Sequence, residues 1–299
     1  MKVNDQADKL RDIIHNLRMR QEVALSEEKK HCRVITVTSG KGGVGKTNIS
    51  VNLALVLSQL GYKVVILDAD FGLANIDILL GVSPRYTLLD VVYHDKTILD
   101  ILCKGPEGIQ LISGGSGIKQ MIDMDSAKID ILIKKMACLD EVADILIVDT
   151  GAGVSDNVTN FVYAADDVIL VTTPEPTSIM DAYALIKTVF GAGEKVNMHV
   201  IVNRAESYKE ATQIGEKLCL AADKFLGTKV KPLGYVLNDQ AVVKAVKQQQ
   251  PFVLSFPSSN VAKQITEIGY HLANKQNELK DKYLGVKGFL GKLTCFIKV

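Results

Sequence analysis

The 299-residue sequence predicts an α/β fold, a doubly wound and mostly parallel sheet, and two observations carry that reading. From Arg33 onward, short runs rich in Val, Ile and Leu alternate with longer amphipathic stretches, as repeated β-α units around one sheet require. Within runs such as VVILD and ILIVD the apolar residues are nearly continuous, which suits parallel strands covered by helices on both faces. A composition of 47% hydrophobic and 23% charged residues is globular and excludes extensive disorder.

The elements follow in order. Leu10, Ile13, Ile14 and Leu17 recur at helical spacing behind a candidate cap, Asn4 or Asp5, and predict a short amphipathic helix. A charged linker, Ser26–His31, closes this N-terminal segment of residues 1–30. Strands are expected at Val34–Thr38, Val64–Asp68, Ile109–Ser113, Ile145–Asp149, Val168–Thr172, His199–Asn203 and Pro232–Val236, where β-branched residues cluster. Helical periodicity marks Asn48–Leu60, Ile129–Leu139, Ser178–Phe190, Glu210–Phe225, Ala241–Gln249 and Asn260–Asn274. The sheet domain therefore spans residues 31–275, and residues 276–299 form a polar linker followed by a last amphipathic segment.

The 35 Lys and Arg against 34 Asp and Glu leave a net charge of +1, which lends no support to a chain that coats nucleic acid through overall charge. DNA is not an expected partner. The 5 scattered cysteines include no C-x-x-C pair and read as reduced cytosolic thiols rather than zinc or iron–sulfur ligands. The N-terminus is too polar for a signal peptide, and no run of about 18 apolar residues spans a bilayer. A cytoplasmic protein, or one lying on a membrane surface, is expected.

The segment Gly40-Lys41-Gly42-Gly43-Val44-Gly45-Lys46-Thr47, followed by Asn48, sits between a strand and a helix and satisfies the phosphate-loop pattern in its required context. Glycines let backbone amides wrap phosphate oxygens, and the following helix N-terminus adds partial positive charge. Lys46 is placed to contact the β and γ phosphates, and the Thr47 hydroxyl to coordinate Mg²⁺. Asp149 follows four apolar strand residues, the form of a carboxylate that reaches Mg²⁺ directly or through water. No N/T-K-x-D signature for guanine occurs, so ATP is favoured.

The string KGGVGKT resembles the deviant phosphate loop of the MinD/ParA family. The resemblance implies that Lys41 reaches across an ATP-sandwiched homodimer, supplying a cation in trans as an arginine finger does, an effect of roughly 10³–10⁵ in rate. Asp68-Ala69-Asp70-Phe71-Gly72-Leu73-Ala74-Asn75 is similar to that family's first switch, which implies that Asp70 orients the attacking water and that Asp68 holds the switch or the metal shell. Thr150-Gly151-Ala152-Gly153 resembles the second switch, with Gly151 standing where many relatives have proline. Asn203 matches a purine-contacting asparagine, and Val236, Asn238 and Asp239 fall in a segment similar to the loop that closes over the base, although a proline expected there is missing.

The flanks narrow the resemblance. Val286, Phe289, Leu290, Leu293, Phe296 and Ile297 share one arc of a helical wheel, flanked or opposed by Lys287, Lys292 and Lys298. Residues 287–299 hold three lysines and no acid, a composition suited to an in-plane helix on anionic lipid, and they resemble the MinD membrane-targeting sequence. Asp5-Gln6-Ala7-Asp8-Lys9-Leu10-Arg11 is similar to the DQAxxLR element of the MinD-like flagellar-number regulators (the FlhG/FleN/YlxH group). That resemblance implies helix-in-groove docking on the flagellar SRP-type GTPase FlhF and stimulation of its GTP hydrolysis. Gln6 would reach the partner's active site, and Asp5, Ala7, Leu10 and Arg11 would complete the docking helix. Flagellar switch-complex (C-ring) proteins are further partners on this reading. The expected function is a Mg²⁺-dependent, dimer-activated ATPase at the inner face of the membrane, with a ParA-like partitioning ATPase or a MinD-like division-site regulator as the alternatives.

Overall fold

A computed structural model describes residues 31–70, 75–114, 126–279 and 283–297. The N-terminal helix expected around Asp5, Gln6, Ala7, Leu10 and Arg11, and Phe71–Ala74 of the expected first switch, lie outside the described residues.

The elements in chain order are β1 (Arg33–Ser39), α1 (Lys46–Gln59), β2 (Val64–Ala69), α2 (Ile76–Leu80), α3 (Leu88–Tyr93), α4 (Ile98–Ile101), β3 (Cys103–Lys104), β4 (Gln110–Ser113), α5 (Ser126–Met136), α6 (Leu139–Val142), β5 (Ile145–Ala152) and α7 (Asp156–Ala164). They continue with β6 (Asp167–Thr172), α8 (Pro176–Gly191), β7 (Met198–Ala205), α9 (Tyr208–Leu226), β8 (Lys231–Leu237), α10 (Gln240–Lys247), α11 (Phe252–Ser255), α12 (Asn260–Leu279) and α13 (Gly285–Ile297). Seven strands coincide with the seven expected from sequence. The eighth, β3, is a two-residue strand antiparallel to β4, too short to show any period. Two of the unanticipated helices carry local start signals, Thr87 with Asp90 and Thr97 with Asp100. In α4 the Thr97 hydroxyl accepts from the Asp100 amide at 3.2 Å while the Asp100 carboxylate accepts from the Thr97 amide at 2.9 Å, the reciprocal pairing of a capping box. Helix α12 runs to Leu279, so part of the linker expected after residue 275 is helical.

The strand order is β3-β4-β2-β5-β1-β6-β7-β8, parallel throughout except at β3. Alternate side chains of each strand point to opposite faces. Ile35, Val37, Ile66 and Ile147 join a core with α1 and α12. Val34, Val65, Leu146 and Val148 face α5, α7 and α13, and β6 and β7 pack under α8 and α9. Near-continuous apolar strands are thus explained by helices on both faces.

The last helix is part of this body. Val286, Phe289, Leu290 and Leu293 are at most 2% exposed, and Phe289 lies 6.2 Å from Phe161 of α7 between ring centroids. These four side chains of the arc expected to face lipid face protein here, because α5 and α7 leave a groove that they fill; the Phe296 and Ile297 side chains and Lys298 lie outside the described residues. Lys287 and Lys292 remain exposed, as the wheel predicts.

Candidate nucleotide site

Chain reversal around β1, which lies between β5 and β6, creates a crevice at the carboxyl ends of the strands, the usual ligand position in such sheets. The phosphate loop leaves β1 there. Gly45, at φ 91°, caps α1 in the left-handed region, and a Cβ on it would strike the Asn203 side chain. Gly40 runs so close to α8 that a Cβ would strike the Asp181 carbonyl. Both glycines are therefore required by geometry, one for backbone conformation and one for close approach.

Around the loop a cleft of about 390 Å³ is lined by Gly42, Gly43, Val44, Gly45, Lys46, Thr47, Asn48, Asp70 and Asn75, together with Ala152 and Arg204. The expected phosphate ligands are thus brought together with Asp70. Asp149, at the end of β5, is 1% exposed. The Ser50 hydroxyl donates to it at 2.8 Å, and the Thr47 hydroxyl also bonds it. Burial raises the Asp149 carboxyl above the ordinary range, against the opposing pull of Lys46 and these hydroxyls. A divalent cation would reverse that balance by stabilising the charged form. Among the described residues no cluster of three or more His, Cys, Asp or Glu side chains gathers. Thr47 and Asp149 offer hard oxygen donors, and such a short donor set fits Mg²⁺, which completes its shell with water and substrate phosphates.

Asp68 is bonded at both carboxylate oxygens. Its Oδ1 accepts from the Asp70 amide at 3.2 Å, and its Oδ2 from the Asn75 and Ile76 amides at 3.3 and 3.5 Å, so one carboxylate ties the end of β2 to the start of α2. Burial raises its pKa to about 6. Gly151, in the segment expected to form the second switch, lies alongside Asp70: a Cβ there would be 3.6 Å from Asp70 Oδ1. The Gly153 amide donates to the Ser39 carbonyl at 2.9 Å, linking that segment to the start of the phosphate loop.

Lys41 is held within the chain. Its Nζ lies 2.8 Å from both Glu175 Oε2 and Thr177 Oγ1. Glu175 and Thr177 carry no short-range sequence signal, since they come from the start of α8, more than a hundred residues away.

A second cavity, of about 350 Å³, adjoins the first and is lined by Gly45, Asn48, Asn203, Arg204, Val236, Asn238, Asp239, Val242 and Phe252. Every residue expected at the purine is present, but some are already engaged. Asn203 Nδ2 donates to the Val44 carbonyl at 2.7 Å and braces the phosphate loop. Asp239 caps α10 by accepting from the Ala241 amide at 2.8 Å, and Asn238 donates to Glu206 at 3.0 Å. Ser50 was legible in principle, one helical turn beyond Thr47; Arg204 and Phe252 were not.

A loop for phosphates, an adjoining cavity for a base, oxygen donors for Mg²⁺ and a carboxylate at the cleft together describe a nucleoside triphosphatase site. The family model for ParA, described as NUBPL iron-transfer P-loop NTPase, matches residues 30–273. The antiactivator FleN of Pseudomonas aeruginosa is 43% identical over 77% of this chain and 82% of its own. The flagellum site-determining protein YlxH of Helicobacter pylori is 31% identical over 99% of this chain and 100% of its own. Among solved structures, the MinC:MinD cell division complex of Aquifex aeolicus superposes with a TM-score of 0.65 at 26% identity, covering 81% of this chain and 96% of that one. The chain belongs to the ParA/MinD family of P-loop ATPases, in its FleN/YlxH-type branch.

Proposed function

We propose that this protein is a Mg²⁺-dependent ATPase that dimerises around ATP, attaches to the inner face of the membrane, and regulates the number or placement of flagella. The gathering of Lys46, Thr47 and Asp70 in one cleft beside a base-sized cavity, with buried Asp149 bonded to Thr47, carries the ATPase part. The likeness to FleN and YlxH supports the flagellar part.

In this reading the loop amides and Lys46 hold the β and γ phosphates, Thr47 and Asp149 hold Mg²⁺, and Asp70 orients water on the γ-phosphate. Bound Mg²⁺ neutralises phosphate charge. Lys41 would act in a partner's site after leaving Glu175 and Thr177, and the exposed Met180, in the same helix as Thr177, and Val154, next to the Gly153 that bonds Ser39, offer apolar surface for a second copy. Asp70→Ala should lower ATP turnover by about 10²–10⁴-fold, the usual worth of a positioned base, with ATP binding retained; Lys41→Ala should lower turnover and shift the ATP-dependent dimer to monomer in light scattering. Turnover within twofold of wild type in Asp70→Ala would sink the catalytic assignment.

The activator role rests on residues 5–11 alone. Titrating the Met1–Arg20 peptide onto the flagellar SRP-type GTPase should accelerate GTP hydrolysis, and Gln6→Ala should abolish that gain. A flat titration removes this role and leaves the ATPase.

A further inference from the structure

Arg204 stands out for where the fold aims it. The β7–β8 ladder pairs Asn203 with Val236 and then slips, so that Ala205 pairs with Leu237. Arg204 is the extra residue of this bulge. Its φ of 57° lies in the left-handed region, a conformation that costs a non-glycine residue about 1 kcal/mol or more and persists only where neighbours impose it. Those neighbours are on both sides: Asn203 is fastened to the Val44 carbonyl, and the Asn238 amide donates to the Ala205 carbonyl at 2.8 Å. Bulges beside sites commonly redirect a side chain, and here the redirected side chain reaches the nucleotide crevice.

Arg204 lines both the phosphate cleft and the base cavity, and it is the one charged residue common to the two linings. Its Nε lies 4.0 Å from the position a Gly45 Cβ would take, beside the N-terminus of α1. Among the described residues its guanidinium makes no hydrogen bond or ion pair, and its charge reaches Glu175 only as a minor influence behind Lys41. An exposed guanidinium held at this seam, with its fork of donors unused, matches the geometry of a phosphate group.

We propose that Arg204 is a nucleotide ligand that donates to the phosphate nearest the sugar, clamping an adenosine 5′-di- or triphosphate where base cavity and phosphate cleft meet. This rests on the ATPase reading above. It adds a specificity element, because the clamp requires a base and a 5′-phosphate in one ligand.

The test is equilibrium binding of MgADP and MgATP to the full chain, with thermal unfolding of the nucleotide-free proteins alongside. Arg204→Gly keeps the left-handed backbone and removes the guanidinium. It should raise the Kd for both nucleotides about 10- to 100-fold, the range for a lost hydrogen bond between charged groups, with a Tm no lower than wild type. Arg204→Lys, which keeps the charge without the fork, should fall between the two. Nucleotide affinity within twofold of wild type in Arg204→Gly overturns the assignment and leaves the ATPase reading intact. A lowered Tm accompanying the loss also overturns it, since binding would then fail through folding. A wild-type chain that binds neither nucleotide overturns both readings.

Discussion

Asp166 and Asp167 are neighbours in sequence whose carboxyls are shifted in opposite directions. Asp166 accepts from the Val34 amide at 2.9 Å and the Leu284 amide at 3.3 Å, yet burial pushes its pKa up to about 6. Asp167 is also raised by burial, but His199 and the Arg33 guanidinium, whose Nε donates to it at 2.7 Å, more than offset that and hold it at about 2. The linkage signs are opposite. The native state binds the Asp166 proton more tightly than the unfolded chain does, so that contribution to stability is full below about pH 4 and lost as pH rises through 6; the Asp167 contribution is present above pH 4 and lost as pH falls toward 2. Urea unfolding of the nucleotide-free protein should show stability declining between pH 4 and 6, and Asp166→Asn should remove about 2 kcal/mol of that decline. Asp68, also raised to about 6, accounts for a further part. An unchanged slope in Asp166→Asn would contradict the assignment.

At the scale of elements, α13 is the segment with two available surroundings. Its N-terminus is capped by Asp140, which accepts from the Val286 amide at 2.8 Å and the Lys287 amide at 3.4 Å. Favourable charge at a helix start adds to these bonds. Four apolar side chains buried at about 1.5–3 kcal/mol each hold the helix by roughly 6–12 kcal/mol before ordering costs, whereas each lysine near anionic lipid contributes about 1 kcal/mol. The proposed membrane attachment therefore requires a release step, and two released helices on a dimer would then bind with avidity. Gly285 tests it. Its φ is 70°, and a Cβ would lie 2.6 Å from the Asp140 carboxylate, so Gly285→Ala should loosen the dock without touching the apolar face. Flotation of the nucleotide-free variant on anionic vesicles should rise several-fold over wild type. Deleting residues 286–299 should abolish flotation while ATP binding persists; undiminished flotation of the deletion would end the membrane-helix proposal.

At the scale of the molecule, the sheet order draws the site from the ends of β1, β2, β5, β7 and β8, spread from Gly40 to Asp239. Arg33 closes the opposite end: fully buried, it bonds Asp167 on β6, donates to the Leu272 carbonyl of α12 at 2.8 Å, and lies 5.5 Å from the Tyr283 ring centroid, ahead of α13. The fold class, seven of the strands, the phosphate loop and Asp149 were legible in the sequence. Each depends on local pattern, such as continuous apolar strands, glycine spacing or a carboxylate at a strand end. The partners of those residues were not legible. Asn203 bracing the phosphate loop, Asp68 tying the end of β2 to the start of α2, Glu175 holding Lys41 and the bulge that sets Arg204 beside Gly45 all depend on contacts that no local pattern shows. The last helix shows the boundary most clearly. Periodicity by itself determined that Val286, Phe289, Leu290 and Leu293 share an apolar face that must leave water. Only the tertiary structure decided that α5 and α7 cover it, because the hydrophobic effect is non-directional and a protein groove satisfies the same pattern as a lipid surface.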